Sequence, residues 1–209
     1  MKLMTLTIND FVKELSSASP APGGGSVSAF AGVLCASLCI MVANLTLGKK
    51  KYQNDYSTIE SAKEEAEMLL HKLSVLVDSD TQAYKDLAAA FKLPKSTEEE
   101  KKLRKNTIQE ATKAAARVPM EILEATVMLA GPVKIVVQNG NPNCISDAGV
   151  GAQLLKSAAM GAAYNVLINL PGIDDEILKK NVGEKVARLL IQVETIANEI
   201  ENEIRNRLF

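Results

Sequence analysis

One acidic residue, Asp80, falls where the sequence pattern predicts an apolar one. Leu73 and Val77 before it, and Tyr84 and Leu87 after it, recur at the spacing of a single buried helix stripe. A carboxylate on such a stripe must be paired, hydrogen-bonded or protonated, because burying a bare charge is costly. Desolvation would suit it to general acid–base catalysis. Asp80 is therefore a candidate proton-transfer group; the alternative is a structural partner of a lysine or a backbone amide.

A glycine-rich loop precedes a long uncharged segment and contains Gly23, Gly24, Gly25 and Ser26. Glycines let backbone amides lie against a ligand, and Ser26 is expected to cap the helix that begins here. The first-turn amides of a helix favour a carboxylate or phosphate. The loop lacks the lysine of a P-loop and the G-x-G-x-x-G spacing of a dinucleotide site. It predicts either an anion-binding helix start or a close approach of two helices.

A second polar helix start comprises Asn143, Ser146 and Asp147, and it also opens a nearly uncharged segment. Helix capping would explain Ser146 and Asp147 without any function. The alternative is a ligand-binding role. This role is favoured because two nearly uncharged helices each begin with polar or anion-binding residues.

A basic cluster, Lys49, Lys50 and Lys51 with Tyr52, lies at the far end of the glycine-loop helix. Such a cluster either complements the negative end of the helix dipole or binds a polyanionic tail. At 1.5 Å per residue it lies about 30 Å from the glycine loop. One subunit could not bring both to one small ligand, whereas two antiparallel subunits could.

Composition excludes several other classes. The 209 residues carry a net charge of −1, 4% aromatic residues and no Trp, so nucleic acid is not an expected partner. Cys35, Cys39 and Cys144 match neither a disulfide framework nor a zinc motif, so we expect buried thiols and no metal. The N-terminus does not resemble a signal peptide, which favours the cytoplasm. Residues 27–46 are long and apolar enough to span a membrane, but their many small residues favour the centre of a soluble bundle or oligomer.

The elements that must position these residues are predicted to be helices throughout. We expect a short helix to about Ser16, a second to about Gly48, a third over 57–91, a fourth from 96, a fifth over 146–169 and a sixth over 174–207. Pro119 and Pro132 should kink or divide the fourth. Residues 133–137 are the one short strand candidate. The predicted fold is an all-α, single-domain helical bundle over residues 1–209, with long helices, that dimerises through its apolar helices.

Several motifs occur together in one order along the chain. They are Pro20-Ala21-Pro22-Gly23-Gly24-Gly25-Ser26, Met41-Val42-Ala43-Asn44-Leu45-Thr46, Lys49-Lys50-Lys51-Tyr52, Val118-Pro119, Gly140-Asn141 with Asn143 and Ser146-Asp147, and Asn165-Val166-Leu167-Ile168-Asn169-Leu170. Together they resemble the formiminotetrahydrofolate cyclodeaminase / methenyltetrahydrofolate cyclohydrolase family, in its stand-alone bacterial form, over essentially the whole chain. The resemblance implies an all-helical subunit that dimerises, with folate sites at the subunit interface.

The resemblance also implies an activity in folate one-carbon metabolism. The enzyme would be a methenyltetrahydrofolate cyclohydrolase or, alternatively, a formiminotetrahydrofolate cyclodeaminase that releases ammonia; a non-catalytic folate-binding subunit is the third possibility. Neither activity needs a metal or cofactor. Asp80 would transfer protons and Asp147 would orient or stabilise the cationic folate. The remaining residues would bind the folate and its glutamyl carboxylates: Gly23, Gly24, Gly25, Ser26, Lys49, Lys50, Lys51, Tyr52, Asn143 and Ser146.

Overall fold

The computed structural model describes residues 2–209, without the side chains of residues 53 and 54. These residues form six α-helices and, within the range described, no strand. The helices are α1 (Ile8–Leu15), α2 (Gly24–Thr46), α3 (Tyr56–Ala90), α4 (Glu98–Asn139), α5 (Ile145–Asn169) and α6 (Glu176–Leu208). Residues 133–137 lie inside α4. The prediction of an all-α fold with long helices is confirmed.

Helix α2 lies at the centre of the bundle. It packs against α3 on one side and α5 on the other, while α4 contacts α3 and α5 and α6 covers α4 and α5. Ala29, Ala36 and Ala43 are fully buried, and such small side chains let neighbouring helices approach closely. Among the described helices α2 is the one with the length and composition of a membrane span. Its position between α3 and α5 accounts for its apolar composition, because a helix contacted on several sides has few positions left for charges.

The three cysteines are free and buried. Cys35 and Cys39 lie on α2, and Cys144 precedes α5. Burial, with a smaller contribution from nearby Glu65, raises the pKa of Cys39 to about 12, and burial likewise raises the pKa of Cys35. Their thiols therefore stay protonated at neutral pH, as expected for structural cysteines. Within residues 2–209, no group of three potential metal ligands is close enough to hold an ion.

Helix α4 continues through both of its prolines. The prediction that Pro119 and Pro132 could divide this segment was wrong, because one helix extends over Glu98–Asn139. Proline lacks the N–H that would bond the carbonyl four residues earlier. For Pro119 that carbonyl belongs to Ala115, and it accepts a hydrogen bond from Asn169 Nδ2 of α5 instead, at 3.2 Å. A neighbouring helix thus replaces the lost bond.

Side-chain caps define three of the six helix starts. The Thr7 side chain accepts a hydrogen bond from the Asp10 amide, as the sequence predicts. Thr97 and Glu100 form a reciprocal capping box at the start of α4. The Asp175 side chain caps α6 by accepting from the Leu178 amide. These contacts explain why the predicted boundaries of α4 and α6 lie within about two residues of those observed.

Candidate active site

Asp80 lies where the buried stripe of α3 ends. Leu73 and Val77 are fully buried, as predicted, but Tyr84 is 41% exposed and Phe91 is also exposed, so the stripe does not continue. Gly25 contacts Asp80 and Gly32 contacts Leu73, which shows that α2 and α3 are antiparallel. Since α2 begins at Gly24, the part of α3 that follows Asp80 extends beyond the end of α2 and is not covered by that helix.

The first turn of α2 holds the Asp80 carboxylate. Asp80 Oδ2 accepts a hydrogen bond from Ser26 Oγ at 3.0 Å, and Ser26 Oγ is also 3.0 Å from Thr81 Oγ1. A Cβ atom on Gly25 would overlap the Asp80 carboxylate, so only a glycine at position 25 leaves room for this carboxylate. The expectation that Ser26 caps α2 was wrong: Gly23 is the N-cap, and Ser26 is a buried first-turn residue whose hydroxyl is bonded to α3.

The environment of Asp80 shifts its ionisation. Burial raises the pKa of this carboxyl, and hydrogen bonds from the side chain and backbone of Ser26 oppose that shift in part. The ion pairs of the described residues do not include Asp80. The lysine partner of the structural alternative is therefore not observed, whereas its backbone-amide partner is present at Ser26. A half-buried carboxyl that has a raised pKa and, among the described residues, no basic partner is suited to accept and return a proton.

A cavity of about 230 Å³ adjoins Asp80. The glycine loop forms one wall, Asp80 and Tyr84 of α3 form a second, and Ala115 of α4 with Asn165 and Asn169 of α5 forms a third. Pockets that enclose a drug-sized ligand measure roughly 300–1,000 Å³. The cavity of one chain therefore holds part of a larger substrate rather than all of it.

The two asparagines in this cavity received no role in the sequence analysis. Asn165 and Asn169 are half-buried and lie four residues apart on α5, so they share one face. Asn165 Nδ2 donates to the carbonyl of Gly161 at 2.8 Å, and Asn169 Nδ2 donates to the carbonyl of Asn165 at 2.7 Å. Two amides at i, i+4 on an otherwise apolar helix are the sequence signal that could have identified them.

A second cluster surrounds Asn141 at the other end of α2. Its amide N donates to Thr46 Oγ1 at 2.9 Å and its Nδ2 donates to the carbonyl of Leu45 at 3.3 Å. Its Oδ1 accepts from the Tyr52 hydroxyl at 3.2 Å and from the Asn143 amide at 3.1 Å. Asn141 is buried and joins the end of α2 to the start of α5. From the sequence, Asn141 is predicted only as part of a Gly140-Asn141 motif and not as this connecting residue.

Asp147 and the basic cluster lie beside Asn141. The expectation that Ser146 caps α5 was wrong, because Cys144 occupies the N-cap position without a side-chain hydrogen bond and Ser146 is exposed. Asp147 is half-buried in the first turn of α5. Burial is the main cause that raises the pKa of the Cys144 thiol; Asp147 adds to this shift and Lys49 opposes it. Both charges therefore lie close to the Cys144 sulfur. Lys50 and Lys51 are exposed nearby.

The predicted site residues thus form two groups at opposite ends of α2. Gly23, Gly24, Gly25 and Ser26 lie with Asp80 at the first end, which we call the glycine end. The second group, which we call the lysine end, consists of Lys49, Lys50, Lys51, Tyr52, Asn143, Ser146 and Asp147. At 1.5 Å per residue, the 23 residues of α2 separate the two ends by roughly 33 Å. A single chain does not bring Asp80 and Asp147 together.

The fold and the glycine end define an all-helical protein with a half-buried carboxyl of raised pKa, held at a helix start beside a polar cavity. Comparison with known proteins then identifies the group. A family described as formiminotransferase-cyclodeaminase matches residues 7–188, and the chain belongs to this family.

Its relatives include both free-standing and fused proteins. The chain is 34% identical to a methenyltetrahydrofolate cyclohydrolase of Methylorubrum extorquens, over 97% of each chain. It is 37% identical to a formimidoyltransferase-cyclodeaminase of Gallus gallus over 90% of this chain, and spans only 35% of that longer protein. A crystal structure of formiminotetrahydrofolate cyclodeaminase from Thermotoga maritima has a TM-score of 0.89 and 30% identity, covering 99% of this chain and 100% of that one.

Proposed function

We propose that the protein is a folate one-carbon enzyme, a methenyltetrahydrofolate cyclohydrolase that converts 5,10-methenyltetrahydrofolate and water to 10-formyltetrahydrofolate. The observation that carries this proposal is the Asp80 carboxyl, which faces a cavity, has a raised pKa and forms no ion pair with any basic residue that the structure describes. Similarity to a cyclohydrolase along nearly the full length of both chains supports the same activity.

The reaction requires a group that takes up a proton and gives it back. A water oxygen attacks the methenyl carbon of the cationic N5–CH–N10 bridge, and the Asp80 carboxylate accepts the proton that this water releases. The protonated Asp80 then donates to N5 as the bond between N5 and the carbon breaks. The carbinol hydroxyl loses its proton to become the formyl C=O on N10, so one proton is released overall. The carboxylate also stabilises the cationic substrate before attack.

Ser26 tunes Asp80 in this scheme instead of contacting substrate. Its hydroxyl and backbone amide donate to the carboxylate and fix its orientation, while Gly25 leaves the space the carboxylate occupies. Gly23 and Gly24 border the cavity and are left to contact the folate.

The lysine end would complete the site of a second subunit. Asp147 would stabilise the cationic folate, and Lys49, Lys50 and Lys51 would pair with its glutamyl carboxylates, including those of a polyglutamyl tail. Because roughly 33 Å separates the two ends within one chain, this arrangement needs an antiparallel neighbour. The 230 Å³ cavity is also too small for a whole folate, which agrees with a site shared between subunits.

Apolar surface on the two central helices supports a homodimer or larger oligomer. Leu34 and Leu45 of α2 and Val150 and Leu167 of α5 are exposed, and Ile168 of α5 is 78% exposed. Exposed apolar residues concentrated on helices otherwise at the centre of the bundle are typical of a subunit interface. We expect such an assembly in the cytoplasm, without metal or cofactor.

Formiminotetrahydrofolate cyclodeaminase is the second candidate activity. The structural match to the Thermotoga maritima cyclodeaminase favours it. In that reaction N10 attacks the formimino carbon on N5, and ammonia leaves after protonation, so the same carboxyl could serve. Both reactions pass through the bridged cationic folate.

One assay separates the activities. Purified protein is mixed with 5,10-methenyltetrahydrofolate, whose loss is followed by absorbance, and separately with 5-formiminotetrahydrofolate, whose conversion to the methenyl form releases ammonia. Turnover of the first substrate alone supports the cyclohydrolase. Ammonia release would reassign the protein as a cyclodeaminase. Saturable binding of both without turnover would show a non-catalytic folate-binding subunit and overturn the enzyme assignment.

A further inference from the structure

Asn169 occupies a position that Pro119 creates. In an uninterrupted helix the carbonyl of Ala115 would bond the amide of residue 119, but proline has no amide hydrogen. The freed carbonyl accepts from Asn169 Nδ2 at 3.2 Å, and the same Nδ2 donates to the carbonyl of Asn165 at 2.7 Å. Both hydrogens of the Asn169 amide group are therefore in use.

These contacts determine which way the Asn169 amide points. Both partners of the nitrogen are carbonyl oxygens, which only accept, so the NH₂ group must face them and Oδ1 must face away. The same reasoning orients Asn165, whose Nδ2 donates to the carbonyl of Gly161. The hydrogen bonds of the described residues leave both Oδ1 atoms without a donor, and both side chains line the cavity beside Asp80.

The cavity wall that α5 forms therefore presents oxygen acceptors. Residues four apart on a helix have Cβ atoms about 5–6 Å apart, so the two Oδ1 atoms can serve adjacent donors on one flat ring. A neutral acceptor pair matches neutral N–H donors, whereas the Asp80 carboxylate matches the cationic carbon. In a folate, neighbouring N–H and NH₂ donors lie on the pyrimidine edge of the pterin ring.

We propose that Asn165 and Asn169 bind the N–H and 2-amino donors of the pterin ring, and that Pro119 is a positioning residue that holds the Asn169 amide in its acceptor orientation. This inference rests on the proposed folate function. It assigns α5 and α4 the recognition of the ring, while α3 supplies the proton-transfer carboxyl.

The test compares two substrates and three variants. The substrates are 5,10-methenyltetrahydrofolate and its analogue without the 2-amino group; the variants are Asn169→Ala, Pro119→Ala and Pro132→Ala. We expect Asn169→Ala to raise KM about 5–100-fold with kcat little changed, as for a lost binding hydrogen bond. With the analogue, the KM of Asn169→Ala should be close to that of the wild type, because the 2-amino donor that Asn169 would bind is already absent.

Pro119→Ala should raise KM by about 3–10-fold, because the substitution restores a backbone N–H that competes for the carbonyl that fixes Asn169. Pro132→Ala is the matched control, since Pro132 is a second buried proline in the same helix but does not line the cavity. It should keep the wild-type KM. Equal KM values for the two proline variants would overturn the role of Pro119.

An unchanged KM for Asn169→Ala, or equal losses with both substrates, would overturn ring recognition by Asn169. If Asn169→Ala does not fold, two other comparisons decide the question. The first is the KM of the wild type for the substrate against its KM for the analogue, and the second is the KM of Pro119→Ala against that of Pro132→Ala. An enzyme inactive on both folates would instead overturn the proposed function, so the two failures are distinguishable.

Discussion

The two ends of α2 differ in both chemistry and exposure. At the glycine end, a half-buried carboxyl lies against a helix start and shares a cavity with two amide side chains. At the lysine end, three exposed lysines follow α2, and a buried asparagine joins α2 to α5. The first end has the features of reaction chemistry and the second has those of charge recognition. One helix keeps them about 33 Å apart, so under the proposed function they would act together only between subunits.

The largest expected effect concerns the glycine end. Asp80→Asn keeps the volume and the hydrogen-bond acceptor for Ser26 but cannot exchange a proton. Turnover should decrease by about 10²–10⁴-fold with KM little changed. Steady-state kinetics and thermal unfolding on the same sample check this. A variant that unfolds early yet keeps wild-type kcat when folded would show that Asp80 is structural.

A methyl group at Gly25 should nearly abolish activity. The Cβ of Gly25→Ala would occupy the space of the Asp80 carboxylate and displace it from Ser26. We expect a loss in kcat of at least about 10²-fold, close to that of Asp80→Asn, because the same group is misplaced. Gly131→Ala in α4 is the control, since the added carbon meets no atom within 4 Å apart from its chain neighbours and the backbone of its own helix. Normal kinetics for Gly25→Ala would contradict the described position of Asp80.

Mixing two inactive variants tests whether the ends act across subunits. Asp80→Asn and Asp147→Asn are each expected to be impaired as homodimers. In a mixed dimer with shared sites, one site combines both substitutions and the other combines both native residues. Random reassociation should restore about one quarter of wild-type activity, because half of the dimers are mixed and each has one intact site. If activity does not recover although subunit exchange is demonstrated, the two residues do not act across a subunit interface. A stable monomer in light scattering would exclude the arrangement altogether.

Charge at the lysine end should affect binding more than turnover. Replacing Lys49, Lys50 and Lys51 together with Ala should raise KM by about 3–30-fold for a polyglutamylated substrate and less for the monoglutamate, because exposed ion pairs are individually weak. Added salt should reduce the difference between the two substrates. If the triple variant discriminates between them as the wild type does, the lysines do not bind the tail.

The smallest expected effect is the dependence of stability on pH. Burial raises the pKa of Asp80, so the folded protein binds this proton more tightly than the unfolded chain does. Its contribution to the free energy of unfolding therefore decreases as pH rises from the unfolded value, near 3.9, through the raised folded value. Asp80→Asn should remove this decrease and melt slightly above wild type at pH 8, with a smaller difference at pH 5. Calorimetry that shows a lower melting temperature for the variant at pH 8 would contradict this.

The fold was largely predictable from the sequence because local signals define its helices. Thr97 with Glu100, and the Pro171–Gly172 break, mark boundaries that depend on neighbouring residues alone. The uninterrupted α4 was not predictable, since Pro119 is tolerated through a bond to Asn169 on another helix.

The site was predictable in part. Asp80 is a charged residue on an apolar helix stripe, and the glycine loop has three consecutive glycines. Both are local features of the sequence, so both were predicted as candidate site residues. That Ser26 donates to Asp80 instead of capping its own helix depends on a contact 54 residues away, and the exposure of Tyr84 depends on where α2 begins. Asn141 was missed for the same reason, because its hydrogen bonds with Tyr52, Thr46 and Leu45 connect segments distant in sequence.

The buried thiols on α2 give the molecule an internal reporter. Cys35 and Cys39 are inaccessible and protonated while the bundle is closed. Alkylation by a small neutral reagent must therefore wait for α2 to separate from its neighbours, so the labelling rate measures how often the centre of the bundle opens. Two thiols four residues apart should be modified together if α2 opens as one unit. Mass spectrometry would then show unlabelled and doubly labelled α2 peptides with few singly labelled ones.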